Sequence, residues 1–181
     1  MSIHRTIILA AGVGILFISL CQAQSKARLD LGSEVSLIGE VSRITLTLDA
    51  NGEQIRSTEN EITIPASLSF VEVEVGEAGK SVSAKVEAQE VTPSNESEEK
   101  RLIIKVAAPY GQWLPSGVIA VANFQFSDQT TEESFIDLQL ANSAFVSVGW
   151  EGQREPVAGR AGTLTIMKEA PPIAACFFYM H

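Results

Sequence analysis

The sequence is poor in the side chains on which most enzyme active sites and zinc sites are built. Its 181 residues include only two histidines and two cysteines. His4 and Cys21 lie in a segment with the pattern of an export signal, so a processed chain keeps only Cys176 and His181. Histidine is the usual general acid or base at neutral pH, and zinc takes several His or Cys ligands. We therefore predict neither a catalytic triad nor a zinc site, and we expect no enzyme activity.

Basic residues are also scarce. The chain has 13 Lys and Arg against 22 Asp and Glu, which gives a formal net charge of −9 at pH 7. Because nucleic acids are bound through basic surfaces, the charge excludes a nucleic-acid partner. A glycine-rich phosphate loop is missing as well, since the relevant glycines are spaced as turn and strand-end residues: Gly111, Gly117, Gly149 and Gly152.

Acidic residues are abundant but scattered. Calcium takes carboxylate and carbonyl oxygens, yet no D-x-D-x-D loop occurs and the candidate ligands are far apart in the sequence: Asp30, Asp49, Asp128 and Asp137. Glycoside hydrolysis needs two carboxylates that face each other across a cleft. Glu72 and Glu74 instead alternate to the outer side of a predicted strand. We predict no catalytic residue and no cofactor, with a structural calcium ion as the one metal left open.

Residues 1–23 have the pattern of an export signal. Arg5 precedes an unbroken run of 14 apolar and small residues, Ile7 to Leu20, and the segment ends on a small residue. The run is shorter than the roughly 18 to 20 residues that cross a bilayer as a helix, which disfavours a retained membrane anchor. Lipid attachment at Cys21 is an alternative, although Leu20 stands where lipoprotein signals have Gly or Ala. We predict export to the periplasm, the extracellular space or the cell surface, without a membrane span after cleavage.

The rest of the chain has the size of one domain. We assign residues 27–168 to that domain and residues 169–181 to an apolar tail. The tail packs as an edge strand, binds a partner or acts as a sorting signal, and its sequence does not distinguish these roles. Cys176 is then the sole cysteine, so no intrachain disulfide can form and the fold must be stabilised by packing.

Apolar residues recur at every second position along most of this domain, which is typical of β-strands with one buried face. The alternating segments are residues 43–48, 55–64, 71–75, 82–88, 102–106, 117–126, 136–145 and 162–166. No long amphipathic helix interrupts them. About nine strands at this spacing predict an all-β fold, a single antiparallel β-sandwich. We expect the core to include Phe124, Phe126, Leu138, Leu140 and Trp150.

Turn signals divide the strands. Asn51-Gly52 is a tight-turn pair and predicts a β-hairpin between the first two segments. Pro65 ends the second segment, since proline cannot donate to a central ladder. Residues 92–100 contain four charged residues and no large apolar side chain, which predicts an exposed loop. Residues 109–117 predict a turn-rich connection.

Two groups of residues are candidates for binding. Tyr110 and Trp113 lie in the connection 109–117, where aromatic rings are less obliged to be core, so they are candidate ligand-binding residues. Alternatively, Trp113 caps one end of the core. The second group is the outer side of two predicted strands, where an apolar side chain stands among charges and predicts a partner-binding face: Lys85, Glu87, Ile103 and Lys105.

The C-terminal half resembles the cohesin domains of cellulose-degrading assemblies and the carbohydrate-binding modules that share their jelly-roll sandwich. The resemblance is carried by residues 116–126, by residues 136–145 with the sequence LANSAF at their end, and by Gly162-Thr163-Leu164-Thr165-Ile166. The N-terminal half departs from the family pattern, because residues 64–67 read IPAS where a Tyr-Asp-Pro-like turn is common.

This resemblance implies an exported, non-catalytic binding module with a jelly-roll fold. A cohesin-like module docks a protein partner, such as a dockerin, on one sheet face. A carbohydrate-binding module would instead hold a polysaccharide through exposed aromatic residues. No dockerin-contacting residue can be matched position by position, so the resemblance names the kind of partner without naming its contacts.

Overall fold

The computed structural model describes residues 25–91, 99–126 and 135–168. These residues form eleven β-strands and one short helix. In chain order they are β1 (Arg28–Leu31), β2 (Glu34–Leu37), β3 (Val41–Asp49), β4 (Ile55–Pro65), β5 (Leu68–Val75), α1 (Glu77–Ser81), β6 (Lys85–Val91), β7 (Glu99–Ala107), β8 (Gly117–Phe126), β9 (Phe135–Val148), β10 (Gln153–Val157) and β11 (Gly162–Met167).

The strands form two sheets packed face to face. The first sheet has the order β1-β3-β8-β5, and the second has the order β2-β11-β9-β4-β7-β6, with β10 paired to β9. Of these pairings only β2 with β11 is parallel. The all-β, jelly-roll sandwich expected from the sequence is therefore confirmed. The count of about nine strands was too low, because β1, β2 and β10 are only four or five residues long and escaped recognition.

The hairpin predicted at Asn51-Gly52 is wrong, although the turn itself is present. Both residues have positive φ, 48° at Asn51 and 80° at Gly52, as the tight-turn signal requires. However, β3 pairs with β1 and β8, whereas β4 pairs with β7 and β9. The turn thus carries the chain from the first sheet to the second instead of joining neighbours within one sheet.

Other turns were predicted more closely. Pro65 is the last residue of β4, as expected. After β5 the chain reverses through α1 (Glu77–Ser81), which packs against β8. The predicted loop 92–100 ends two residues earlier than expected, because Glu99 and Lys100 already belong to β7. Residues 92–98, the proposed signal 1–23 and the tail 169–181 lie outside the described residues.

The core lies between the two sheets and is built by the alternation that the sequence predicted. On β3 the side chains of Ile44, Leu46 and Leu48 are each 1% exposed. Phe124, Phe126 and Leu140 are also buried, as expected, while the side chain of Leu138 lies outside the description. Trp150 was wrongly assigned to the core. It follows β9 in a turn and is 57% exposed, because the apolar strand ends before it.

The carboxylate of Glu53 binds the first residues that the structure describes to the sandwich. Glu53 accepts hydrogen bonds from the hydroxyl of Ser25 and from the backbone amides of Lys26 and Ala27. Partial burial opposes the ionisation of Glu53, but these hydrogen bonds outweigh it and lower the pKa of its carboxyl group. The charged form of Glu53 therefore helps to hold Ala27, which is buried, against the core.

Two adjacent isoleucines on β7 test the alternation directly. Ile104 is 1% exposed and belongs to the core, whereas Ile103 is half-buried on the outer side. We expect Ile104→Ala to lower the free energy of unfolding by about 2 to 5 kcal/mol, because it leaves a cavity. Ile103→Ala should lower it by about 1 kcal/mol or less. Urea unfolding of both variants measures the difference, and equal losses would contradict the assignment of the two faces.

Candidate functional site

The solvent side of the second sheet gathers residues from five strands into aligned rows. We call the solvent-facing side chains of β6, β7, β4, β9 and β10 the outer face. The pairing register sets one row across these strands in the order Lys85, Ala107, Ser57, Ser147 and Arg154. The middle three members are small, so this row forms a low floor between a lysine at one edge and an arginine at the other.

The next two rows carry most of the charge. The second row runs Glu87, Lys105, Glu59, Phe145 and Pro156, and the third runs Gln89, Ile103, Glu61 and Ser143. The four residues predicted as a partner face, Lys85, Glu87, Ile103 and Lys105, thus lie together on two neighbouring strands. Alternation in the sequence predicts this shared face, because Lys85 and Glu87 are two positions apart on β6 and Ile103 and Lys105 are two positions apart on β7.

A hollow of about 300 Å³ lies over the first two rows. Its floor contains the small residues Ser57, Ala107 and Ser147. Its walls carry the predicted Lys85, Glu87 and Lys105 together with three residues that the sequence did not single out: Glu59, Phe145 and Arg154. A second hollow of about 200 Å³ lies beside Ile103, between Glu87, Gln89 and Lys105. These two depressions adjoin each other, because both are lined by Glu87 and Lys105.

Glu59 is the electrostatic centre of this face. Its carboxylate accepts a hydrogen bond from Arg154 at 2.8 Å, between Oε1 and Nη2, and lies 3.4 Å from the Nζ atom of Lys105. The hydrogen bond from Arg154 lowers the pKa of Glu59, outweighing the opposing effect of burial, and Lys105 lowers it further. The same guanidinium lies over the ring of Phe145, 3.6 Å from its centroid. Arg154 is thereby held between a carboxylate and a ring.

Sequence reasoning missed Glu59, Phe145 and Arg154 for different reasons. Glu59 lies in the predicted strand segment 55–64, but only the isoleucines of that segment were considered, so Glu59 was not assigned to a face. Phe145 was placed in the resembling segment 136–145 and not assigned to a face. Arg154 belongs to β10, whose five residues contain one half-buried valine and no alternating apolar pattern. Only the pairing of β10 with β9 brings Arg154 beside Glu59.

The predicted ligand residues lie at one end of the sandwich, where they form an aromatic end with a third ring. Trp113 packs edge to face on Trp150, with ring centroids 4.6 Å apart, and Tyr110 is 6.2 Å from Trp150. The guanidinium of Arg56 is 5.7 Å from the centroid of Tyr110. Trp113 is half-buried, whereas Tyr110 is 86% exposed. Tyr110 and Trp113 are thus brought together, and Trp150 joins them.

The described residues were also searched for metal and membrane features. In residues 25–91, 99–126 and 135–168, no three His, Cys, Asp or Glu side chains lie close enough together to hold a metal ion. Within the same ranges no helix has the length and apolar character required to span a bilayer.

The architecture is that of a cohesin-like jelly-roll sandwich, and solved cohesin structures superpose on it. A type I cohesin from Clostridium thermocellum, solved with a dockerin, matches with a TM-score of 0.62 and 11% identity over 82% of this chain and 97% of its own. The non-cellulosomal cohesin of the archaeon Archaeoglobus fulgidus matches with a TM-score of 0.56 and 16% identity over 80% and 93%. The sequence itself matches no protein-family profile and no curated protein.

A third similar structure is a cohesin from Acetivibrio cellulolyticus in complex with a dockerin. Its TM-score is 0.56 at 16% identity, covering 78% of this chain and 99% of that one. At these identities the likeness concerns the fold alone. Because nearly the whole of each cohesin is covered, the likeness extends over the complete sandwich and includes both sheets.

The ion pairs of Glu59 predict a measurable titration change. Arg154→Ala removes the hydrogen bond that contributes most to the lowered pKa, so the pKa of Glu59 should rise toward its ordinary value of 4.5. Carboxyl-detected NMR titration of the folded protein measures this change. Arg101→Ala is the matched control, because Arg101 pairs with Glu61 at 2.9 Å. A pKa of Glu59 that responds equally to both substitutions would contradict the assigned pairing.

The sign of the accompanying effect on stability follows from linkage. The pKa of Glu59 is lower in the folded chain, so its stabilising contribution is present above about pH 4.5 and is lost as pH falls through the folded value. In Arg154→Ala this acid-dependent loss should become smaller. Urea unfolding at neutral pH and below pH 4.5 measures this loss in the free energy of unfolding, once for the wild-type chain and once for the variant.

Proposed function

We propose that this chain is a non-catalytic, exported module that docks a protein partner on its outer face. The proposal rests above all on the hollow over the first two rows, where the pairing register gathers the predicted Lys85, Glu87 and Lys105. Export follows from the predicted signal 1–23. The fold supports the proposal, because the similar cohesins from Clostridium thermocellum and Acetivibrio cellulolyticus were solved in complex with dockerins.

The outer face combines apolar side chains with polar and charged neighbours. Specific interfaces place apolar anchors within a polar rim and bury about 800 Å² on each partner. Ile103 and Phe145 supply apolar surface in the third and second rows, on β7 and β9. Cations and carboxylates alternate around them along the second row. A partner that rests on the two anchors would meet both signs of charge within a short distance.

The charge pattern favours a partner with mixed charges over a uniformly charged one. Lys85 and Arg154 stand at opposite ends of the first row, while Glu87, Lys105 and Glu59 follow one another in the second. A uniformly basic or acidic surface would meet repulsion at every other position of that row. An amphipathic element whose charges alternate, with an apolar ridge for Ile103, fits this face best. A dockerin is the class of partner that the resemblance implies.

Titration calorimetry with purified dockerins encoded in the same genome tests the proposal. We expect a 1:1 complex whose affinity falls by about tenfold or more in Ile103→Asp, since a buried charge would replace an apolar anchor. Val41→Asp serves as the control: Val41 is 50% exposed on the other sheet, so its charge should leave binding unchanged. If no such dockerin binds, or if both variants weaken the complex alike, docking on the outer face is wrong.

A further inference from the structure

We propose that the aromatic end of the sandwich is a membrane-contact surface, which rests on the interface of a neutral lipid bilayer. The ring of Trp150 lies 4.6 Å from that of Trp113 and 6.2 Å from that of Tyr110, between centroids. Tyr110 is 86% exposed and Trp150 is 57% exposed. Tyrosine and tryptophan are enriched where membranes meet water, because part of each side chain is apolar and part of it forms hydrogen bonds.

The chain enters the sandwich at this same end. The turn between β3 and β4 binds its first described residues, since the Nδ2 atom of Asn51 donates to the carbonyl of Lys26 at 2.7 Å. The same turn binds an aromatic loop, since the carbonyl of Gln54 accepts from the amide of Gly149, the neighbour of Trp150, at 2.9 Å. Asn51 and Gln54 are three positions apart. The entry point of the chain therefore lies beside the rings.

The residues before this entry point contain the apolar run that would reach a membrane. The run extends from Ile7 to Leu20, and Ser25 stands five positions after its end. Five positions of fully extended chain span at most about 18 Å. When the run, or a lipid on Cys21, holds the chain at a bilayer, this end of the sandwich must lie close to the membrane surface.

The charges beside the rings fit a neutral lipid surface better than an anionic one. The guanidinium of Arg56 lies 5.7 Å from the ring centroid of Tyr110 and donates to the carbonyl of Trp150 at 3.4 Å. A basic side chain of this length can reach a lipid phosphate while its stem stays on apolar surface. Glu151 follows Trp150, is exposed and would be repelled by anionic headgroups. A cation and a carboxylate side by side favour zwitterionic headgroups such as phosphatidylcholine.

The membrane contact and the docking surface depend on different residues. Ile103 lies in the middle of β7, whereas Tyr110 follows the end of that strand. Trp150 lies between β9 and β10 and lines neither hollow of the docking surface. Stable attachment to a membrane takes two signals, because a single acyl chain binds only marginally. The rings supply the second signal to a chain whose N-terminal segment supplies the first, and the outer face stays free for a partner.

The far end of β3 provides a matched control position. Val41 opens this strand and is 50% exposed, whereas Asp49 closes it two residues before Asn51. At about 3.4 Å per residue, the eight steps between Val41 and Asp49 separate the two ends of the strand by about 27 Å. Val41 thus resembles Trp150 in exposure and lies at the opposite end of the sandwich.

Tryptophan fluorescence reports on the proposed surface, because Trp113 and Trp150 are the two tryptophans of the chain. The full chain is reconstituted into phosphatidylcholine vesicles, where its own apolar run holds it, and into matched vesicles whose acyl chains carry bromine, a short-range quencher. We expect bromine placed near the headgroups to quench the emission, and bromine near the bilayer centre to quench it less. The control chain carries Val41→Trp together with Trp113→Phe and Trp150→Phe, and bromine should leave its emission unchanged.

Trp150→Ala is the decisive variant. It should lose most of the quenching, because the remaining Trp113 is half-buried. Tyr110→Ala should reduce the quenching, whereas Ile103→Asp should leave it unchanged even though it weakens docking. Thermal unfolding checks that each variant is folded. The inference is overturned if bromine quenches the wild-type chain no more than the Val41→Trp control, if Trp150→Ala is quenched like the wild-type chain, or if quenching requires anionic lipid.

Discussion

Strand β4 is paired along both edges, with β7 on one side and β9 on the other, and this double pairing is the constraint on which the domain depends. Its inward side chains Ile62 and Ile64 are fully buried, while Ser57 and Glu59 on the opposite side belong to the outer face. Because side chains alternate with a period of two, a shift of one residue in either pairing would exchange the two sets. The same register thus determines both the core and the candidate site.

Two asparagines tie this central pairing to the first sheet. Asn60, on the inward side of β4 and fully buried, donates from Nδ2 to the Oδ1 atom of Asn142 on β9 at 3.0 Å. Asn142 in turn donates to the backbone carbonyl of Leu29 on β1, also at 3.0 Å. Buried polar groups are unfavourable unless their partners are correctly placed. This chain of hydrogen bonds therefore favours one arrangement of the sheets over shifted alternatives that would bury the same apolar area.

The extent to which the sequence predicted the structure depended on whether a feature was local. Alternation along a strand assigns each residue to a face without knowledge of its neighbours, so the sequence placed Lys85, Glu87, Ile103 and Lys105 on one outer side. Arg154 could not be placed in this way, since its position beside Glu59 comes from the pairing of β10 with β9. The Asn51-Gly52 turn illustrates the same limit. Its backbone conformation depends on these two residues and was predicted correctly, whereas the turn does not determine which strands pair with β3.

The row of small residues on the floor of the larger hollow is where local strand preference and the observed structure disagree. The interior of a paired sheet favours β-branched and aromatic side chains, and alanine is disfavoured there. Ser57, Ala107 and Ser147 nevertheless occupy the middle of one row on three adjacent strands. The core gains nothing from their small size, because they face solvent. Larger side chains at these three positions would occupy the space of the hollow, so its depth depends on their small size.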